Sequence, residues 1–346
     1  MHCALVPPYI LQALARHDDP AVRDAAVATL AYDKTFAVSR VLGDAARRNA
    51  VRTAAPAVAR LHRLLHDARN REDLPGELVR SEGDPPSGDV AVNEAYDGFG
   101  DTWRLYETVY GRNSIDDAGM DLSGTVHFSE QYDNAYWDGE RMVFGDGDGV
   151  LFNRFTIAVD VIGHELTHGV TGATANLEYR DQSGALNESI SDVFGSLVKQ
   201  YALGQTAAEA DWLIGAGLLA EDVHGVALRS MKAPGTAYDD ERLGGRDPQP
   251  AHLRDYLRTT SDNGGVHTNS GIPNHAFYLA ATALGGHAWD RAGRIWYETV
   301  TGGRLQPTAT FPQFAQLTVA VADRLYGAEA RRAVAEAWIG VGLVTS

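Results

Sequence analysis

The sequence predicts a two-domain α+β protein preceded by a small helical segment. Three observations carry this expectation. The chain has 346 residues, enough for two domains of ordinary size, each with its own core. Short strand candidates and a hairpin signal cluster between Leu122 and Gly145. Beyond Asn153 the apolar pattern is helical with little interruption.

Composition narrows the function classes. With 44% hydrophobic and 22% charged residues, and no apolar run of membrane-spanning length, the chain reads as a globular protein without a membrane partner. Thirty basic against 46 acidic residues give a net charge of −16, which argues against nucleic acid or an anionic membrane surface. A monomer is expected. The single cysteine, Cys3, excludes an intrachain disulfide. Met1 to Tyr9 has neither a basic start nor a continuous apolar stretch before Pro7-Pro8, so no signal peptide is read. That leaves a cytoplasmic location or export by a non-standard route.

Taken in order, Tyr9 to Arg16 predicts a short helix. Asp18-Asp19-Pro20 starts another, running to Leu30, with proline at the first helical position. Arg47-Arg48-Asn49 and Arg52 form a basic crossing open to a trypsin-like or self-cleaving activity; a plain helical subdomain is the alternative. A helix is predicted near Pro56 to Ala68, a loop over Glu82 to Gly88, and one helical face over Ala91 to Tyr110. Val126-His127-Phe128 and Met142-Val143-Phe144 are strand candidates, with a hairpin turn at Asp138-Gly139. Asp146-Gly147-Asp148-Gly149 lacks the later ligands of an EF-hand and reads as a tight turn. Further helices are expected over Ala185 to Tyr201, Ala207 to Ala220, His267 to Leu284, Ala288 to Val300, Thr310 to Tyr326 and Ala328 to Ile339.

One stretch carries chemistry. In His164-Glu165-Leu166-Thr167-His168 the two imidazoles stand one helical turn apart on one face, able to reach a single metal ion, with a carboxylate beside them. An ordinary helix with two half-exposed histidines is the alternative. Catalytic zinc takes three protein ligands and leaves a place for water. Asn187-Glu188-Ser189-Ile190-Ser191-Asp192, 20 residues on, offers Glu188 as the third ligand. Asp192, one turn later, can hydrogen-bond a ligand imidazole from behind. A solvated acidic face is the other reading of that pair. Asn187-Glu188-Ser189 also matches a glycosylation sequon, which a ligand-bearing helix argues against.

These residues resemble the thermolysin-type zinc metalloproteases. The likeness extends through Tyr132-Asp133-Asn134-Ala135-Tyr136-Trp137, Leu228-Arg229-Ser230-Met231 and Asp262 to Gly271, covering roughly residues 75 to 340. Pro7-Pro8-Tyr9-Ile10-Leu11 is similar to the protealysin-like subgroup, whose precursors carry a short propeptide. The resemblance implies a β-containing first domain and a helical second domain with a zinc cleft between them. Its divisions fall at residues 1–52 (propeptide), 53–174 and 175–346.

It further implies His164, His168 and Glu188 as zinc ligands, with Asn187 and Asp192 behind them, and Glu165 as general base toward a zinc-activated water. Tyr179 and His267 would be oxyanion donors, with Asp262 orienting His267. Asn134 and Ala135 would pair with the substrate backbone, and Arg229 would grip a substrate carbonyl unless it serves only as a surface salt bridge. The implied activity is cleavage of internal peptide bonds on the amino side of bulky hydrophobic residues. The family's double calcium site reads here as Asp160, Lys199, Asp211, Leu213 and Ala216. The double site is therefore expected to be lost, with room for a single weak calcium site.

The propeptide is expected to inhibit its own enzyme, either by a Cys3 thiolate on zinc or by Pro7-Pro8-Tyr9 lying in the cleft as a poor substrate. Two rivals remain. A non-catalytic metal-holding interaction protein would have no use for Glu165, Tyr179 and His267. An aminopeptidase would need an acidic group for the substrate amine, and the sequence shows no signature of one.

Overall fold

The computed structural model describes residues 4–47 and 59–344. Strands β1 (Arg63–Arg71), β2 (Glu77–Ser81), β3 (Leu122–Phe128), β4 (Ala135–Trp137) and β5 (Arg141–Phe144) form one sheet in the order β2-β1-β3-β5-β4. The β1–β3 and β3–β5 pairs are parallel, while β2 and β4 are antiparallel edge strands. The hairpin predicted at Asp138-Gly139 joins β4 to β5, and residues 146–149 are an irregular loop, not a hydrogen-bonded tight turn, with left-handed backbone at Gly147 and Gly149.

The segment Pro56 to Ala68 is not the predicted helix. Its described part is extended and becomes β1, whose Leu65 and Ala68 are fully buried. Pairing on both sides, with β2 and β3, outweighs the helical leaning of a run rich in Leu, Arg and Ala.

Helix α1 (Pro8–Leu14) and helix α2 (Pro20–Arg47) form the N-terminal segment, the second running well past the predicted end at Leu30. Helix α3 (Val90–Arg104) is capped by Asp89, whose carboxylate accepts from the Ala91 and Val92 amides. Helix α4 (Val159–Ala173) carries the two motif histidines, and helix α5 (Asp181–Leu203) carries Glu188. Both are buried along most of their length because they cross at small residues. A Cβ on Gly195 would stand 2.3 Å from the Asp160 carbonyl oxygen, and one on Gly163 would stand 3.0 Å from Val198.

Helices α6 (Asp262–Asn269), α7 (Gly271–Leu284), α8 (Ala292–Thr301) and α9 (Phe311–Gly340) complete the helical half, with α9 interrupted at Gly327 between the two predicted helices. Residues 207–220 are the exception to the helical expectation. They form turns and strand β6 (Leu213–Ile214), which pairs with β7 (Arg229–Ser230). Strands β8 (Asp239–Asp240) and β9 (Gly245–Arg246) make a second small pair. Three glycines in the 215–225 stretch and the hydrogen bond from the Trp212 indole to the Ala207 carbonyl favour compact turns there.

Candidate metal centre

The α4–α5 crossing brings His164, His168 and Glu188 together at 0%, 2% and 1% exposure, with one donor atom from each within 4.8 Å of the others. Each imidazole is oriented from behind. His164 Nδ1 donates to Asp192 Oδ1 at 2.8 Å, and His168 Nδ1 lies 2.9 Å from Asn187 Oδ1 and 3.0 Å from Ser191 Oγ. The Nε2 lone pairs therefore point at one another, 3.1 Å apart, with Glu188 carboxylate oxygens 3.6 and 3.5 Å away.

Two facing lone pairs beside a buried carboxylate repel unless a cation lies among them. Donors held tetrahedrally at about 2.1 Å from zinc are roughly 3.4 Å apart, so the set fits that ion in chemistry and in spacing. Asp192 is itself fully buried and receives both arms of Arg229, at 2.9 and 2.8 Å, and the Asn274 amide at 2.8 Å. Burial pushes its carboxyl up, but Arg229 and His164 hold it well below the usual carboxylate range.

Glu165, next to the first ligand, is fully buried, and its Oε2 accepts from the Trp137 amide at 3.0 Å. Tyr179 donates to Glu188 Oε1 and lies 3.2 Å from His267 Nε2. His267 is aimed by Asp262, which takes the ring Nδ1 proton at 2.7 Å and the backbone amide at 2.9 Å. That double contact depends on the left-handed turn at Asn263, Gly264 and Gly265 in the first turn of α6. Burial lowers the imidazole's pKa, but the Asp262 and Glu188 carboxylates outweigh it and raise it to about 9.

The cleft above these residues holds the chain's own N-terminal strand. Ala4 bridges antiparallel to Tyr136, and the Leu5 amide donates to the Ala135 carbonyl at 3.1 Å. The Val6 amide donates to Asn134 Oδ1 at 2.9 Å, Arg229 donates to the Leu5 carbonyl at 3.2 Å, and His267 Nε2 to the Ala4 carbonyl at 3.1 Å. Arg229 is 1% exposed, so it is not a surface salt bridge. The expectation that Pro7-Pro8-Tyr9 fills the cleft is corrected: strand addition needs backbone N–H groups, which proline lacks, and Pro8 already begins α1. Cys3 lies outside the described residues, as does the basic crossing from Arg48 to Arg52.

The residues predicted from the sequence as zinc ligands, catalytic groups and substrate contacts thus lie in or around one cleft, while Trp137, Ser191 and Asn274 were missed. Of these three, only Ser191 carries a periodic signal, standing one helical turn after Asn187 on the ligand face of α5. The other two contacts arise from chain crossings. Away from the cleft, Lys199 sits among the positions of the family's double calcium site, which is expected from the sequence to be lost, 2.8 Å from Asp160, 2.9 Å from Asp211 and 2.7 Å from the Leu213 carbonyl. Burial lowers its pKa, but the two carboxylates outweigh that and raise it.

Comparison with known proteins agrees with this geometry. The signature of the thermolysin metallopeptidase catalytic domain matches residues 45–172, and that of the thermolysin metallopeptidase alpha-helical domain matches residues 175–343. An extracellular metalloprotease of Pectobacterium carotovorum is 52% identical over 341 residues, covering 99% of this chain and 96% of its own. A protease of a Photorhabdus strain is 49% identical over 343 residues, covering 98% and 91%. Among solved structures, the precursor of protealysin from Serratia proteamaculans superposes with a TM-score of 0.90 at 50% identity, covering 99% of this chain and all of the other.

Proposed function

The chain belongs to the thermolysin metallopeptidase family and is a zinc endopeptidase, and from that footing we propose how its residues divide the work. His164, His168 and Glu188 hold the metal. Zinc bound there supplies a Lewis acid that acidifies a water and polarises the scissile carbonyl. Glu165, its carboxylate aimed by the Trp137 amide, accepts the water's proton and returns it to the leaving nitrogen. His267, held by Asp262, and the Tyr179 hydroxyl donate to the oxygen on which negative charge develops.

Asn134 and Ala135 hold the substrate backbone by strand addition, and Arg229 grips the carbonyl after the scissile bond. Cleavage on the amino side of bulky hydrophobic residues is supported by Leu5, fully buried in the position that follows the His267-bound carbonyl. We divide the chain into a propeptide (1–52), an α+β domain (53–174) and a helical domain (175–346). The propeptide acts as inhibitor, since Ala4, Leu5 and Val6 take up the groups a substrate would use.

The double calcium site is replaced by the Lys199 ammonium. Among the described residues no helix is long and apolar enough to cross a membrane. The name of the Pectobacterium relative supports action outside the cell. The working form is taken to be a monomer.

The observation that carries this reading is the buried His164/His168/Glu188 donor set with Glu165 beside it. Glu165→Gln tests it. The variant should bind zinc as the parent does and lose activity on a blocked hydrophobic peptide by about 10²–10⁴-fold. Undiminished activity would sink the assignment of the base.

A further inference from the structure

The register of the bound N-terminal strand singles out one peptide bond. Of all the carbonyls in that strand, the one that receives the His267 proton is Ala4's, at 3.1 Å, and the Tyr179 hydroxyl lies 3.2 Å from the same His267 nitrogen. The next residue gives its amide to Ala135 and its carbonyl to Arg229, and the one after gives its amide to Asn134. The strand therefore runs in the direction of a substrate rather than reversed. It sets a small residue before the bond and a fully buried leucine after it. We propose that the chain cuts its own Ala4–Leu5 bond.

This rests on the protease reading above and extends it to a specific self-processing site. One water is consumed: its oxygen bonds to the Ala4 carbonyl carbon, the carbon–nitrogen bond to Leu5 breaks, and the leaving nitrogen takes up a proton. The products are an Ala4 carboxylate and a Leu5 ammonium. No oxidant or other reactant is needed.

The cut does not free the cleft. Leu5 and Val6 keep their contacts to Ala135, Arg229 and Asn134, and the segment behind them is anchored elsewhere. Ile10, Leu11 and Leu14 of α1 are fully buried. In α2, the Thr29 hydroxyl accepts from the Asp133 backbone N–H at 3.1 Å, and Asp33 accepts from the Tyr132 hydroxyl at 2.7 Å and from the Asn134 side-chain Nδ2 at 3.1 Å. Trimming thus yields a latent form that begins at Leu5 and precedes removal of the propeptide. A new amino terminus still has N–H groups to offer the Ala135 carbonyl, which favours retention of the trimmed end.

The experiment uses the full chain, purified metal-free, then supplied with zinc and followed by intact mass and N-terminal sequencing. The expected result is a first product starting at Leu5, formed with a first-order rate constant that does not change on tenfold dilution, because each cleft holds its own strand. Glu165→Gln should give none of it, and Leu5→Asp should slow it by at least about tenfold. Before zinc is added, hydrogen exchange should find the Leu5 and Val6 amides protected, which checks the register independently of activity. A first cut at any other bond, a first-order rate constant that rises in proportion to concentration, or unprotected Leu5 and Val6 amides would overturn the proposal. So would an intact Ala4–Leu5 bond in a sample that cleaves casein. A sample that cuts neither itself nor casein would overturn the protease reading beneath it.

Discussion

Asp192 joins three demands in one buried carboxylate: it fixes the His164 tautomer, neutralises Arg229 and receives the Asn274 amide. Asp192→Asn keeps the shape and removes the charge, leaving a buried guanidinium without its counter-ion. We expect it to cost about 3–5 kcal/mol in urea unfolding. We also expect zinc affinity to fall by about 10–100-fold in a chelator competition. A second single-residue expectation concerns His127, whose Nδ1 lies 2.8 Å from Asp146 and whose Nε2 lies 2.7 Å from Asp89. The Asp146 hydrogen bond, helped by Asp89 and opposed by burial, raises its pKa to about 9. Its stabilising contribution is full below the unfolded value of about 6.5 and lost as pH rises through about 9. The melting temperature of the parent should therefore fall more steeply between pH 7 and 9.5 than that of His127→Gln, and parallel curves would refute this. At this scale His164, His168 and Glu165 were legible because the spacing of one helix places them with no help from the rest of the chain, while Glu188, on α5, needed the resemblance to single it out. Asn274 was not, since its contact with Asp192 spans 82 residues and exists only once α7 packs on α5.

At the scale of elements, the site depends on how closely α4 and α5 approach. Gly195→Ala would drive a methyl group into the backbone carbonyl of Asp160, so the helices must separate. We expect about 1–3 kcal/mol of destabilisation and weaker zinc binding, measured by thermal unfolding with and without the metal. Retained stability in both states would contradict the close-crossing account. The helices of the second half were read well wherever an apolar face repeats over several turns. The stretch at 56–68 was misread because local composition leaned to helix while pairing partners on both sides decided otherwise, and the stretch at 207–220 because its glycines and the Trp212–Ala207 hydrogen bond favour compact turns over the helical pattern.

For the whole molecule, the sheet edge at β4, the α4–α5 pair and the left-handed turn of α6 converge on one cleft, and the N-terminal strand completes that sheet edge. The presence of a propeptide was legible in the sequence, but the residues it uses were not, because Pro7-Pro8 is conspicuous while Ala4-Leu5-Val6 is plain. Only the ladder geometry shows that N–H groups, and not prolines, engage the strand. The proposed hydrolysis depends on a zinc ion held by His164, His168 and Glu188. The most direct measurement is a zinc titration of the chelator-stripped enzyme, freed of its first 52 residues, with casein cleavage recorded at each step. Activity should be absent without metal and rise in proportion to zinc up to one equivalent; cleavage that persists in the stripped enzyme, or saturates at a different stoichiometry, would contradict the account.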